Sequence, residues 1–238
     1  MTTPTERTVP TSSGPYLSHS RIAKYLHCPE QFRLHYVVGL RLRVPEASLV
    51  FGTAIHGALE TLFRCGGDPV QDFAERWEAL RSATLTYKQR ESWEILDAKG
   101  RALLATFVSE AVPRIGQIIA VERSFTLMIT DLFDPLVGVI DLVAELDGVL
   151  TVIDYKTAAA GYQPHEVILS DQLTAYQLAV PEADQTAFCV LLKTKEPRID
   201  WHVAERDSQR LAEYLTKVQL VAAEITAGRF YKRPGRWC

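Results

Sequence analysis

The stretch Gly138–Thr157 (GVIDLVAELDGVLTVIDYKT) constrains the fold of this chain more than any other segment. Asp147 and Gly148 separate two runs rich in β-branched residues, and an Asp-Gly pair in that position favours a tight type I′ turn between antiparallel strands. Residues equidistant from such a turn are paired across the hairpin. Asp141 and Asp154 are therefore predicted to lie opposite each other on one face of the sheet.

Lys156 is predicted to project from the same face, because side chains alternate along a strand and it follows Asp154 by two residues. Opposed carboxylates, with Cβ atoms about 4.5 to 5.5 Å apart, repel each other. A shared proton, the Lys156 ammonium alone or a divalent cation could neutralise them. Both strands are apolar on both faces, which predicts a covered sheet rather than a solvated surface hairpin. We therefore place the metal hypothesis first.

Hydrophobic periodicity predicts mainly helices in the first half of the chain and a mixed region after it. The predicted helices are Ser18 or Ser20 to Val38, Phe51–Phe63, Val70–Leu85, Ser92–Val112, His165–Val180 and Asp207–Ala227. The predicted strands are Ile118–Ile129, Leu136–Leu146, Val149–Tyr155, Thr186–Lys193 and Ile199–Val203. This order predicts an α/β fold class with a mixed β-sheet flanked by helices.

The chain has 238 residues, 47% of them hydrophobic and 23% charged, which is enough apolar material for one packed catalytic domain. Residues 1–16 are rich in Thr, Ser and Pro and are predicted to be a disordered leader. Residues 17–238 are predicted to be a single domain, with a mainly helical part at 17–115 and an α/β core at 116–238. No segment has the roughly 20 apolar residues of a membrane span, and the leader lacks a secretion signal, so a soluble cytoplasmic protein is predicted.

The formal net charge of −3 gives no general attraction for nucleic acid. Any binding to DNA would need a local basic surface. Lys and Arg are concentrated between Arg21 and Arg43 and again in the terminal group Arg229, Lys232, Arg233 and Arg236. Each cluster is equally consistent with a solvated charged face.

Asp141, followed by the triplet Asp154-Tyr155-Lys156, resembles the Asp and (Asp/Glu)-x-Lys signature of the PD-(D/E)xK nuclease superfamily. The likeness is closest to the RecB-like branch, which includes CRISPR-associated exonucleases. It extends over nearly the whole chain from Leu17 onward. An Asp-x-Lys triplet by itself is a weak signal, so the resemblance depends on further elements in the same order.

Three further segments match the branch. It has a helical His upstream, matched by His56 in FGTAIHGALE, and a Gln-x-x-x-Tyr helix after the Lys, matched by Gln172 and Tyr176 in DQLTAYQLA. The early segment LSHSRIAKYLHCPEQFRLHYVVGL, with its Tyr and its Cys-Pro-x-x-Phe pattern, resembles the opening of the branch. Together these elements make the resemblance specific.

The resemblance implies a restriction-endonuclease-like core and metal-dependent hydrolysis of DNA. It makes Asp141 and Asp154 ligands of Mg²⁺ or Mn²⁺, together with His56 and the backbone carbonyl of Tyr155. Lys156 would orient or deprotonate the attacking water, and a lowered pKa in a crowded cleft would allow the second role. Taken alone, His56 would be read as an ordinary half-buried histidine.

Three more residues receive a catalytic role from the resemblance. Gln172 and Tyr176 are four residues apart and share a helical face, so both can hydrogen-bond a phosphate or the carboxylates. Without the resemblance they would be ordinary boundary residues of an amphipathic helix. Glu122, in VERSF, stands where the family often has an acidic residue, and a surface ion pair is the competing interpretation.

The four cysteines are widely spaced, which favours reduced thiols or metal ligands over a disulfide framework. Several members of the branch hold a [4Fe–4S] cluster through one early Cys and three near the C-terminus. Cys28 matches the first ligand and Cys238, in FYKRPGRWC, matches the next. Cys238 is the last residue of the given sequence, so two of the four thiolates that a cluster needs are present in it. Either the sequence stops short of a longer natural C-terminus or this member has lost its cluster. Cys65 and Cys189 have apolar surroundings typical of buried structural cysteines.

The predicted function is that of an exonuclease acting on single-stranded DNA or DNA ends, in recombination, repair or phage DNA processing. Its predicted partners are DNA and other recombination or repair proteins, and a phage-encoded form would act in the host cytoplasm. Two rivals remain. One is a DNA-binding subunit of a repair complex with a vestigial nuclease site, and the other is a hydrolase of nucleotides or small phosphoesters.

Overall fold

The computed structural model describes residues 14–41, 43–233 and 235. The helices are α1 (His19–His27), α2 (Pro29–Phe32), α3 (Ala47–Cys65), α4 (Pro69–Glu78), α5 (Trp93–Glu110), α6 (Pro164–Ile168), α7 (Asp171–Ala179) and α8 (Ser208–Thr226). A π-helical turn, Arg33–Val37, follows α2, and a 3₁₀ turn, Val112–Arg114, follows α5. The strands are β1 (Ile115–Leu127), β2 (Leu136–Leu146), β3 (Val149–Ala158), β4 (Gln185–Leu192) and β5 (Arg198–Ala204).

The five strands form one mixed sheet in the order β1-β2-β3-β4-β5. The first three strands form an antiparallel meander, β3 and β4 are parallel, and β4 and β5 are antiparallel. The connection from β3 to β4 contains α6 and α7, because parallel neighbours require a crossover. The predicted α/β fold class with a mixed sheet flanked by helices is confirmed.

Helices cover both faces of the sheet and form two hydrophobic clusters. On one face, Val152 and Phe188 belong to a cluster that includes residues of α1, α7 and α8. On the other face, Ile153 and Cys189 belong to a cluster that includes residues of α3, α4 and α5. Consecutive residues of β3 thus enter different clusters, which explains why its sequence is apolar on both faces.

Two predicted helices are each divided in the structure. The first, residues 18–38, is interrupted at Cys28, which is extended with a φ of −157° and whose sulfur accepts a backbone N–H of α2. Pro29 then takes the first position of α2, where its missing N–H costs nothing. The second, residues 165–180, is divided by Ser170, which caps α7. Both divisions arise because a capping side chain starts a new helix.

Gly100 of α5 lies directly beneath the ring of Phe73, and a Cβ at this position would lie 2.1 Å from the ring. Replacing Gly with Ala in an exposed helix stabilises a protein by about 1 kcal/mol. Overpacking a core destabilises it by about 1 to 3 kcal/mol. At so short a distance we expect the clash to dominate, so Gly100→Ala lowers the free energy of unfolding in urea. Gly161→Ala is the control, because its Cβ would meet its nearest atom at 3.5 Å. Equal stability of the two variants would contradict the packing described here.

Most of the predicted leader, residues 1–16, precedes the residues that the structure describes. Residues 1–13 lie outside them. Tyr16, assigned to the leader by the sequence, packs on Arg21, whose guanidinium carbon lies 4.2 Å from the tyrosine ring centroid. Leu17 forms a parallel bridge with Leu136 at the start of β2. Among the described helices, none combines the length and the apolar character needed to cross a membrane.

Candidate active site

The β2–β3 hairpin has the register that its turn predicts. Leu142 pairs with Ile153, which places these residues at equal distances from the turn. Asp147 and Gly148 have φ values of 51° and 83°, and a type I′ turn requires positive φ at both central residues. The predicted register is confirmed from the pair of Leu142 and Ile153 to the turn, but the predicted pairing of Asp141 with Asp154 is not part of the ladder.

The ladder between β2 and β3 ends at this pair, one residue before the two predicted acidic residues. Oδ2 of Asp141 instead accepts the backbone N–H of Tyr155 at 2.8 Å, so a side chain replaces a main-chain carbonyl. The same oxygen lies 3.2 Å from Nδ1 of His56 on α3. Asp141 therefore sits where the strands separate and connects β3 with α3.

Asp154 and Lys156 face α7 on the other layer. The Lys156 Nζ lies 2.7 Å from Oδ2 of Asp154 and donates to Oε1 of Gln172 at 2.7 Å. The Gln172 amide nitrogen donates to Oδ1 of Asp154 at 2.8 Å and to the Tyr176 hydroxyl at 2.9 Å. Tyr176 donates in turn to the carbonyl of Val139 at 2.8 Å. One glutamine side chain thus fixes the carboxylate and the ammonium relative to each other.

The cluster contains two buried carboxylates and one ammonium, which is paired with Asp154. The side chains of Asp141 and Asp154 are 0% and 3% exposed, and that of Lys156 is 26% exposed. Burial raises the pKa of Asp154. The Lys156 ammonium acts to lower this pKa, and the carboxylate of Asp141 raises it further. Burial by itself would lower the pKa of Lys156, but the attraction of Asp154 outweighs it and raises the pKa. The lowered lysine pKa that a base role would use is therefore not found in this arrangement.

Glu122 lies in β1. The flanking pairs, Val121 with Leu142 and Arg123 with Ile140, place it opposite Asp141 of β2. Its φ of 50° is left-handed, a conformation that costs a residue with a side chain about 1 to 3 kcal/mol. Strain of this kind persists where the surrounding structure imposes it, often beside functional sites. The strain and the position beside Asp141 support a role in the site, and that role stays a prediction.

Two residues near Lys156 were not identified from the sequence. His19 begins α1, and burial together with the Lys156 ammonium lowers its pKa to about 4, so its imidazole is neutral at pH 7. Tyr162 lies with its ring 5.5 Å from that of Phe188, which in turn lies 5.0 Å from Nζ of Lys156. His19 lies within the opening segment LSHSRI that resembles the family, whereas no spacing pattern marks Tyr162.

A family profile described as the PD-(D/E)XK nuclease superfamily matches residues 16–238. The chain belongs to the PD-(D/E)XK nuclease superfamily. The family resemblance inferred from Asp141 and the triplet Asp154-Tyr155-Lys156 is therefore confirmed. No curated protein matches the chain in sequence.

Two solved structures were compared with the fold of this PD-(D/E)XK nuclease. A presumed exonuclease from Eubacterium rectale aligns with a TM-score of 0.57 at 12% identity, over 94% of this chain and 85% of that chain. LHK-Exo, solved in complex with dAMP, aligns with a TM-score of 0.37 at 12% identity, over 76% of this chain and 93% of that chain. The first alignment supports the predicted restriction-endonuclease-like core, and the second is too weak to support an inference.

The acidic residues of this PD-(D/E)XK nuclease suit a divalent cation by their chemistry. The carboxylates of Asp141 and Asp154 are hard oxygen donors, which Mg²⁺ and Mn²⁺ prefer. Oδ2 of Asp154 is buried, and its contact with Lys156 is an ion pair without an aligned hydrogen bond. Within the described ranges, no three His, Cys, Asp or Glu side chains converge into a complete ligand set. His56 and the Tyr155 carbonyl therefore stay predicted ligands.

The cysteines of this PD-(D/E)XK nuclease give no support to the predicted iron–sulfur cluster. Cys28 is buried and disulfide-bonded rather than a reduced thiol, and its role as a cluster ligand stays a prediction. Cys238 lies outside the described residues. Cys189 is buried and burial raises its pKa, as expected of a structural cysteine. Cys65 ends α3 and is exposed, which corrects its predicted burial.

Gln172→Ala tests whether the network positions the groups of the nuclease site. We expect kcat for DNA cleavage to fall about 10- to 100-fold, because a hydrogen bond to a charged group contributes about 1.5 to 3 kcal/mol. The substitution removes the amide that holds Lys156 and Asp154. Gln219→Ala is the matched control, since Gln219 bonds the carbonyl of Thr130 on the surface of α8. A wild-type kcat for Gln172→Ala would refute the positioning role.

Proposed function

We propose that this chain is a deoxyribonuclease that uses Mg²⁺ or Mn²⁺ to hydrolyse phosphodiester bonds. The observation that carries the proposal is the burial of Asp141 and Asp154 where β2 and β3 separate, with Lys156 paired to Asp154 and the charge of Asp141 near enough to raise the pKa of Asp154. Two buried carboxylates and one partly buried ammonium lie there, and buried charge requires compensation. Membership of the PD-(D/E)XK nuclease superfamily supports the reaction class.

Each residue of the cluster has a role in this reaction. Asp141 and Asp154 would hold the cation, together with His56 and the backbone carbonyl of Tyr155. The bound cation would supply charge neutralisation at the scissile phosphate and a water of lowered pKa. Lys156, kept as an ammonium by its carboxylate neighbour, would donate to the attacking water and orient it toward the phosphorus. Gln172 and Tyr176 would hold the lysine and Asp154 in place during that attack, and the predicted role of Glu122 belongs to the same group.

The two basic segments of the sequence lie side by side, which supports binding of DNA. The hydroxyl of Tyr25 donates to the carbonyl of Arg229 at 2.7 Å, and Arg233 donates to the carbonyl of Leu26 at 3.1 Å. The helix α1 and the segment after α8 are thereby joined. A combined basic surface is what a chain with a formal net charge of −3 needs in order to contact phosphates.

We assign exonuclease action on single strands or DNA ends because the sequence resembles the RecB-like branch most closely. Recombination, repair or phage DNA processing would generate such substrates. The rival hypothesis is a DNA-binding subunit with a vestigial site. Such a subunit would not need Asp141, Asp154 and Lys156, nor the contacts of Asp154 with Lys156 and Gln172.

The proposal is tested with purified protein on linear single-stranded, linear duplex and closed circular DNA, each in Mg²⁺, Mn²⁺ or EDTA. We expect linear DNA to be degraded to mononucleotides when the cation is present and to persist in EDTA. Degradation of closed circles would indicate an endonuclease instead. Binding without cleavage in both cations would contradict the proposal and favour the DNA-binding subunit. Cleavage of small phosphodiesters alone would favour the small-phosphoester hydrolase.

A further inference from the structure

A cavity of about 300 Å³ opens beside the acidic cluster. The start of α1, the first residues of β2 and one side of α7 form its walls. Gln172 and Tyr176 belong both to these walls and to the hydrogen-bond network around Asp154. A group bound in the cavity would therefore adjoin a phosphate held at the acidic cluster.

Arg21 lines this cavity together with Tyr16 and Tyr36, the two tyrosines whose rings its guanidinium contacts. Its guanidinium carbon lies 4.2 Å from the ring centroid of Tyr16 and 4.7 Å from that of Tyr36. One guanidinium nitrogen donates to the carbonyl of Tyr16 at 2.7 Å, while Nε is buried without an acceptor among the described residues. Tyrosine rings and guanidinium planes are the surfaces on which proteins stack unpaired bases, with little dependence on sequence.

The remaining wall offers neutral hydrogen-bonding groups. Ser18 and Ser20 line the cavity with hydroxyls 3.1 Å apart. His19 lines it as well, and its lowered pKa makes it a neutral donor and acceptor. Stacking surfaces combined with neutral polar groups suit a base and its sugar. The volume is at the small end of the range for ligand sites, about 300 to 1,000 Å³, so it suits one nucleotide and not a base pair.

We propose that this cavity, bounded by Arg21, Tyr16 and Gln172, binds the unpaired nucleotide next to the scissile phosphate. The inference rests on the proposed nuclease function and specifies its substrate as single-stranded DNA. A base within a duplex would have to break its base pair and its stacking before it could enter the cavity. A base in a single strand has no pair to break, so its entry costs less free energy. Preference for single strands then follows from the size of the cavity.

Arg21→Ala is the first test. We expect the variant to bind a fluorescent single-stranded oligonucleotide about 10-fold more weakly, which corresponds to one stacking contact. Anisotropy with Ca²⁺ in place of Mg²⁺ measures this binding separately from cleavage. KM for single-stranded DNA should rise by a similar factor, with kcat changed less than about twofold. Arg101→Ala is the matched control, because it removes an exposed guanidinium from α5 on the other layer.

Ser20→Trp is the second test, since Ser20 is exposed and lines the cavity. The indole should obstruct the cavity without disturbing the core and reduce the preference for single strands over duplex. If both variants bind the oligonucleotide and show KM as wild type does, the subsite is refuted while wild-type cleavage still supports the nuclease. If wild type cleaves nothing but Arg21→Ala still weakens binding, the nuclease function is refuted and the subsite stands.

Discussion

Replacing Lys156 with alanine is expected to lower kcat for DNA cleavage by about two to three orders of magnitude, the usual range for removing one preorganised hydrogen-bond donor from a reaction centre. The ammonium lies 2.7 Å from the carboxylate of Asp154 and donates to Gln172, and alanine supplies neither the charge nor the donor. Binding of single-stranded DNA should change far less than kcat. Steady-state cleavage and anisotropy on the same preparation measure both quantities.

Two controls separate catalysis from stability. Lys88→Ala removes an exposed lysine and should leave kcat unchanged. Breaking one partner of a buried ion pair destabilises a protein by about 3 to 5 kcal/mol, so Lys156→Ala is also compared with the double variant that adds Asp154→Asn. The double variant should regain thermal stability and stay inactive. Cleavage by Lys156→Ala at a rate within about threefold of wild type would exclude this lysine from the catalytic role assigned to it.

Replacing Asp154 or Asp141 with asparagine is expected to abolish stabilisation of the protein by Mg²⁺ or Mn²⁺. A ligand at 100 times its dissociation constant adds about 2.7 kcal/mol to the stability of the state that binds it. For a chain of this size, 1 kcal/mol raises Tm by about 2 to 4 °C. Wild type should therefore show a clear upward shift in Tm with added cation, and the two variants should show little or none, together with loss of cleavage.

The hairpin provides a matched control for these carboxylates. Asp147→Asn is the same substitution in the same hairpin, at a turn residue whose side chain is 53% exposed. Asparagine tolerates the left-handed φ that this turn position requires, so the fold should be kept. This variant should retain the shift in Tm and the cleavage of wild type. If the Asp154 and Asp141 variants kept the full cation-dependent shift, the ion would bind elsewhere and the assigned ligands would be wrong.

The strongest predictions from the sequence came from short-range physics. An Asp-Gly turn determines its own hairpin, so the register around Leu142 and Ile153 follows from the residues between them. Helices α3 and α5 were similarly located from periodicity, although α3 begins four residues earlier than predicted. The break at Cys28 was missed because a capping sulfur carries a weak sequence signal, even though Pro29 directly follows it.

The features that could not be predicted depend on contacts between distant segments. An alternating strand pattern gives no sign that the β2–β3 ladder ends just before Asp141. Nor does it indicate that the Asp141 carboxylate bonds a backbone amide of β3. The cavity depends on α1 and α7, far apart in the chain, meeting beside the sheet. His19 acquires its shifted pKa from burial and Lys156 in the folded state, so its spacing in the sequence could not show it.

The bond from the Tyr155 amide to a carboxylate oxygen makes that single amide sensitive to the chemistry next to it. A neutral peptide carbonyl that binds no ion changes little, but a carboxylate that binds a proton or a cation becomes a much weaker hydrogen-bond acceptor. The nitrogen and hydrogen shifts of this one residue should therefore respond to charge at the nuclease centre, while the amides closer to the turn keep ordinary strand partners. The molecule thus carries its own spectroscopic probe of the acidic centre, in the backbone rather than in an added label.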